Sequence, residues 1–123
     1  MKKIEINLND MAQFRCGDEI RGTVSWNLES KPERIFVRLF WYTSGKGTMD
    51  VGIKDEFVIE NPGFSNIQNF NFKAPSSPYS FSGRLISIIW AVEALTSDKK
   101  HTESVQLEIS PTGREIVLGP NGD

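Results

Sequence analysis

Residues 70–95, FNFKAPSSPYSFSGRLISIIWAVEAL, contain the most apolar segment of the chain and decide its fold class. The stretch opens with an alternating run, Phe70, Phe72 and Ala74, and turns through a corner rich in Pro and Ser. Residues 85–95 are then rich in Ile, Val and Trp and carry apolar side chains in both alternating phases, which favours a long central strand. A helix is the competing interpretation because Ala and Leu recur, but the β-branched density and the entry from a Pro/Gly corner favour a strand.

Alternation of apolar and polar residues recurs along the rest of the chain. It covers residues 4–8, 20–28, 35–43, 51–60, 67–74 and 105–109, and turn signals such as Asn61-Pro62-Gly63 separate the segments. Residues 14–18 read as a loop. The pattern predicts an all-β protein, an immunoglobulin-like antiparallel β-sandwich of about seven strands. We expect the sandwich to span residues 1–110 and a C-terminal tail to span residues 111–123, where residues 115–118 could add a short edge strand.

Two segments resemble a signature of the arrestin-like β-sandwich. The first is Phe70-x-Phe72-x-x-Pro75-x-x-Pro78-x-Ser80-x-x-Gly83, followed by Ile88-x-Trp90-x-Val92-x-Ala94, and the second is Gly17-Asp18-Glu19-Ile20-x-Gly22-x-Val24. Bacterial and yeast arrestin-like proteins look closer to this chain, the bacterial sporulation-control type among them, because eukaryotic arrestins more often have Tyr at the position of Trp90. Arrestins carry two such sandwiches in tandem, and 123 residues suffice for one. The resemblance implies an adaptor domain that binds other proteins and is not an enzyme.

Charge and cysteine content limit the classes of partner and compartment. The 14 basic and 16 acidic residues are mixed along the chain, with a net charge of −2, so no basic patch marks a nucleic-acid partner. Cys16 is the sole cysteine, which excludes an intrachain disulfide and fits a reducing compartment. The first ten residues lack the apolar run of about 7–15 residues that a signal peptide needs. Residues 85–95 are too few to cross a bilayer, which takes about 20. We therefore expect a cytoplasmic protein without a membrane span.

The chain offers little material for an active site or a metal site. His101 is the only histidine, and its polar neighbours favour a solvated turn residue over a general base. One histidine and one cysteine cannot supply the four clustered ligands of a zinc site. We expect no cofactor, no metal and no catalytic activity.

Two other features resemble functional motifs only in part. Gly45-Lys46-Gly47-Thr48 has the end of a phosphate-binding loop but lacks the earlier glycine and the following helix. Asp55 is the one acid in an otherwise apolar phase of residues 51–60. A position at a bulge or at a sheet edge is favoured for it over a buried carboxylate.

A binding surface is predicted on two neighbouring strands. Residues 35–43 and 85–95 are the third and sixth strands, which lie side by side in an immunoglobulin-like sheet. Both strands carry apolar residues in both alternating phases. If one phase of each strand faces the core, the apolar residues of the other phase share the outer face of the sheet. Contiguous apolar surface of this kind usually marks an interface. The outer face would contact a protein partner, a second copy of the chain among the candidates, through Phe36, Arg38, Phe40, Tyr42, Leu85 and Ile89.

Two other interpretations stay open. The tail could fold over this patch, or the phase could flip at a bulge. A carbohydrate-binding module is the alternative function, since such sandwiches present aromatic rings to sugars. The candidate rings are Trp26, Trp41, Trp90, Tyr42 and Phe40. For the three tryptophans, however, packing in the core is favoured over sugar binding.

Overall fold

Every regular element of the structure, a computed structural model, is a β-strand. The structure describes residues 3–9, 13–45, 50–76, 78, 80–82, 86–110 and 116–117. Seven of the ten strands coincide with the predicted segments, which confirms the all-β prediction. The other three have two or three residues each, and one of them, at residues 116–117, lies within the short edge strand considered at residues 115–118. No helix in these ranges is long and apolar enough to cross a membrane. The strands are β1 (Lys3–Leu8), β2 (Gln13–Arg15), β3 (Glu19–Asn27), β4 (Arg34–Gly45), β5 (Val51–Glu60), β6 (Ser65–Lys73), β7 (Phe81–Ser82), β8 (Ile86–Thr96), β9 (Thr102–Ser110) and β10 (Ile116–Val117).

The strands form two sheets. The smaller sheet has the order β1-β3-β6. In the larger sheet β8 pairs with β4 on one side and with β9 and β7 on the other, and β5 pairs with β4 alone. The predicted neighbours β4 and β8 pair without interruption from Ile35 opposite Thr96 to Gly45 opposite Ile86. This pairing places the two strands that are apolar in both phases side by side.

The prediction of a purely antiparallel sandwich is wrong at two short pairings. Strand β2 runs parallel to β9, and β10 runs parallel to β7. The predicted loop at residues 14–18 is therefore a strand in its first part. Three residues are too few to display an alternation, but Phe14 is buried and fixes β2 against the core. Gly17 then turns the chain with a φ of +89°, and the Asp18 carboxylate accepts a 2.8 Å hydrogen bond from the Arg15 amide.

The core combines inward side chains of both sheets. Ile20 and Val24 of the smaller sheet and Val37, Leu39 and Trp90 of the larger are fully buried. The Trp90 indole N–H donates a 2.8 Å hydrogen bond to the Pro78 carbonyl, so the proline corner supplies the partner that a buried indole needs. Residues 86–96 form a strand, which excludes the helical interpretation of this segment.

A β-bulge reverses the side-chain phase of β5. Leu39 pairs with Asp55, but Phe40 pairs with Ile53, so Lys54 has no opposite residue. Asp55 is exposed on an edge strand beside this bulge, as the sequence favoured. Val51 and Ile53, which precede the bulge, therefore lie on the outer face of the sheet. Strict alternation would place them on the inner face with Phe57.

Candidate functional site

The outer face of the larger sheet is a ladder of apolar and charged rungs across β5, β4, β8 and β9. Directly opposed residues of antiparallel strands point to the same side of a sheet. Because Val37 and Leu39 are fully buried, the alternate residues of β4 point away from the core. Four outward residues of β4 each lie between one residue of β5 and one of β8: Phe36 between Val58 and Leu95, Arg38 between Glu56 and Glu93, Phe40 between Ile53 and Ala91, and Tyr42 between Val51 and Ile89.

The rungs of Phe40 and Tyr42 form one continuous surface. The rings of Phe40 and Tyr42 stack with centroids 5.9 Å apart and planes at 25°. The Tyr42 hydroxyl accepts a 3.1 Å hydrogen bond from Gln106 Nε2 on β9, which bridges over β8. Ala91 lies on the same face, between Phe40 and Gln106, and is only 1% exposed. The rings are thus held in place and half-buried, with the remainder of their surface open to solvent.

Arg38 and the two acids that flank it form the charged rung of the ladder. We call it the middle rung because it lies between the apolar rungs of Phe36 and Phe40. The Arg38 guanidinium forms an ion pair with Glu56, and its Cζ lies 5.3 Å from the Phe36 ring centroid. The side chains of Arg38 and Glu56 are only 26% and 34% exposed. Glu93, on the other side of Arg38, is also half-buried. A partly exposed pair of this kind contributes about 0–1 kcal/mol to folding, so its charges matter more for what the face can contact.

Three exposed aliphatic residues of β5 extend the apolar surface to the sheet edge. Val51, Ile53 and Val58 are 60%, 57% and 39% exposed, and they are three of the five large hydrophobic residues exposed in the described ranges. Single exposed hydrophobics need no explanation, but these three adjoin the rings of β4. Sequence reasoning assigned Val51 and Ile53 to the same phase as the inward Phe57 and missed their position. The only signal of the reversal was the acid at position 55.

The tryptophans lie on the core side. Trp26 and Trp90 are buried, and Trp26 donates a 3.2 Å hydrogen bond to the Pro62 carbonyl. Trp41 packs against the core above Gly52, where a Cβ would come within 2.7 Å of the Trp41 Cζ2 atom. Of the five rings considered for carbohydrate binding, Phe40 and Tyr42 are the two on the outer face.

The structure brings most of the predicted site residues together. Phe36, Arg38, Phe40, Tyr42 and Ile89 share one face, and Leu85 lies outside the described residues. Of the predicted tail, β10 pairs with β7 at the edge opposite β5, and the other tail residues also lie outside the described ranges. Whether this face binds a partner stays a prediction.

The two nucleophile or base candidates of the sequence, His101 and Cys16, lie in loops. His101 ends the β8–β9 turn, and the half-buried Cys16 thiol lies 3.9 Å from the Ser76 carbonyl. In the β8–β9 turn, hydrogen bonds from the Thr96 hydroxyl and the Lys100 amide hold the pKa of the Asp98 carboxyl below its ordinary value. Within the described part of the chain, no three His, Cys, Asp or Glu side chains converge.

Comparisons with known proteins give a fold likeness. No family model and no curated protein sequence matches this chain. Among solved structures, the sporulation control protein Spo0M from Bacillus subtilis is similar over 88% of this chain, with a TM-score of 0.62 and 16% identity. The chain spans about half of that protein, 49%. A β-glucosidase from Listeria innocua is similar over 94% of this chain and 16% of its own, with a TM-score of 0.48 and 11% identity. The likeness to Spo0M supports the predicted arrestin-like β-sandwich fold.

Proposed function

We propose that this domain is a non-enzymatic adaptor that contacts another protein through the outer face of its larger sheet. The observation that carries the proposal is the continuity of apolar surface from Val51 and Ile53 on β5, across the stacked rings of Phe40 and Tyr42, to Ile89 on β8. Contiguous apolar surface that is bordered by polar residues is characteristic of protein-binding sites.

The chemistry of the face suits a protein partner. Aromatic and arginine side chains near the centre of an interface carry most of its binding energy. Here the rings of Phe40 and Tyr42 lie on β4, which has a neighbouring strand on each side. Arg38 lies on the same strand, between these rings and Phe36. Burial of apolar surface contributes about 25 cal/mol for each Å² removed from water, so the exposed aliphatic edge of β5 adds to the affinity. The exposed Thr102, Ser104 and Gln106 of β9 provide a polar border.

Capture experiments with matched variants test the proposal. Wild-type protein, Phe40→Asp and Thr23→Asp are immobilised and exposed to an extract of the native host. Thr23 is a suitable control because it lies on the smaller sheet, opposite Asn7 and Asn69, between two inward residues. We expect the wild type and Thr23→Asp to capture the same proteins and Phe40→Asp to lose them. Equal capture by all three folded variants would refute the role of this face.

A glycan array tests the carbohydrate alternative. We expect no binding by the wild-type protein. Binding that Phe40→Asp abolishes would instead assign the outer face to a sugar.

A further inference from the structure

We infer that the partner which fits the outer face is a second copy of this chain, docked face to face about a two-fold axis parallel to the strands, between β4 and β8. The inference rests on the proposed function and names its partner. A two-fold interface uses the same patch on both copies, so the patch must be complementary to itself. The charges on the middle rung of the ladder meet this requirement for two positions of the axis, and the extent of the overlap between the two faces selects one of them.

The middle rung carries the charge sequence negative, positive, negative across Glu56, Arg38 and Glu93. A two-fold axis along the strands, between β4 and β8, places β4 of each copy over β8 of the other. Arg38 then faces the partner's Glu93, and this contact occurs twice. Glu56 faces the partner's Ser104, which is uncharged and exposed. Arg38 can make the new contact because its guanidinium has five N–H donors and Glu56 bonds only to Nε.

The other axes give like-charge contacts or a smaller overlap. An axis over β4 itself, or one that crosses the strands at the middle rung, sets Arg38 against the partner's Arg38, and like charges across an interface are costly. An axis between β4 and β5 also joins opposite charges, Arg38 and the partner's Glu56. Because β5 is the sheet edge, however, that arrangement overlaps only two strands of each copy. The axis between β4 and β8 overlaps four.

The apolar residues of β4 and β8 are matched by the same axis, whereas Ile53 and Val58 of β5 face the partner's Gln106 and the partner's Thr102. Phe36 faces the partner's Leu95, and Tyr42 faces the partner's Ile89. Four strands about 4.8 Å apart and nine residues at about 3.4 Å each give a face of roughly 600 Å² in projection. Standard interfaces bury about 800 Å² of accessible surface on each partner, so a corrugated face of this extent is sufficient. Two sheets packed face to face with nearly aligned strands are a common arrangement in proteins.

Charge reversal on separate chains tests the axis. Arg38→Glu and Glu93→Arg are purified separately, and each should associate about tenfold or more weakly than the wild type because both cross-contacts become like-charged. In an equimolar mixture of the two variants, each cross-contact joins an acid and a base. We therefore expect native mass spectrometry, which separates the variants by mass, to find mixed dimers in excess over either homodimer.

The controls separate this inference from the proposed function. Arg21→Glu, a reversal on the exposed side of the smaller sheet, should leave the dimer unchanged, and circular dichroism should show every variant folded. If a reversed variant does not fold, Arg38→Gln and Glu93→Gln replace the pair; each should weaken the dimer, and the mixed dimer should regain one of the two ion pairs, Arg38 of one variant with Glu93 of the other.

Three outcomes would overturn the inference. The first is a wild-type chain that stays monomeric up to its solubility limit, which leaves the capture experiment to decide the proposed function. The second is a dimer that Phe40→Asp disrupts but the mixture of Arg38→Glu and Glu93→Arg does not restore, since the axis is then wrong although the face is right. The third is restoration by Arg38→Glu with Glu56→Arg instead, which would assign the axis between β4 and β5.

Discussion

Substitution of Gly22 by alanine should destabilise the sandwich at the contact between its strands. Gly22 lies on β3, opposite Leu8 of β1 and Phe70 of β6. A Cβ at this position would overlap the Asn7 carbonyl oxygen and would lie 2.7 Å from the Phe70 Cζ atom. The oxygen belongs to the backbone, so no side-chain rotation relieves the overlap, and β1 has to move away from β3.

The expected cost follows from these two contacts. Overpacking in a filled core costs about 1–3 kcal/mol, and here both a backbone atom and a buried ring must yield. Replacement of glycine by alanine also restricts the unfolded chain, which returns about 0.4–1 kcal/mol. Because both contacts favour the upper end of the first range, we expect Gly22→Ala to lower the free energy of unfolding by about 2 kcal/mol. Guanidinium titration followed by tryptophan fluorescence measures it, since Trp26 and Trp90 are buried.

Gly17→Ala is the matched control. No heavy atom other than those of its chain neighbours would lie within 4 Å of a Cβ at Gly17, and the cost there is limited to a φ of +89°, about 1 kcal/mol. A Gly22→Ala protein as stable as the wild type, or more stable than Gly17→Ala, would refute the close approach of β1, β3 and β6. It would also remove the physical reason for a glycine at this position.

Three further substitutions have defined outcomes. Trp90→Phe leaves the Pro78 carbonyl without its 2.8 Å donor and should lower the free energy of unfolding by about 1–3 kcal/mol in a denaturant titration; an unchanged value would contradict the hydrogen bond. Asp98→Asn should lower the melting temperature at neutral pH because the ionised carboxylate accepts hydrogen bonds from Thr96 and Lys100. Since these bonds lower the pKa of Asp98 in the folded state, the stabilisation is complete above the unfolded pKa of about 4 and is lost as the pH falls through the lowered value. The two melting temperatures should therefore converge in acid, and a constant difference would contradict this. Ile53→Ser should leave the free energy of unfolding within about 0.5 kcal/mol of the wild type while it weakens association, because the side chain is 57% exposed; a large loss of stability would place Ile53 in the core.

The sequence was sufficient to predict the strands that have an alternating pattern or a long apolar run. β3 and β8 are the clearest cases, because strict alternation in one and apolar residues in both phases of the other leave few alternatives. The short strands β2 and β7 escaped prediction because two or three residues carry no period. Their existence depends on pairing with distant strands, and pairing partners are not readable from a local pattern.

The outer face was predictable in part for the same reason. Phe36, Arg38, Phe40 and Tyr42 were assigned to it because β4 is apolar in both phases. The residues that β5 contributes were not, because a single bulged residue, Lys54, inverts the phase of Val51 and Ile53. The charge order on the middle rung depends on the register of three strands, which only the folded structure fixes.

Residue-resolved footprinting tests most directly whether the outer face is a contact surface. Hydroxyl-radical oxidation of Phe40 and Tyr42 is compared between dilute protein and its complexes, formed either with a second copy or with a captured protein. Phe64, which is 50% exposed and lies outside the face, serves as the internal reference. We predict that both rings become protected in the complex while Phe64 does not change. Rings that are oxidised at the same rate in the free and the bound states would contradict the assignment of this face.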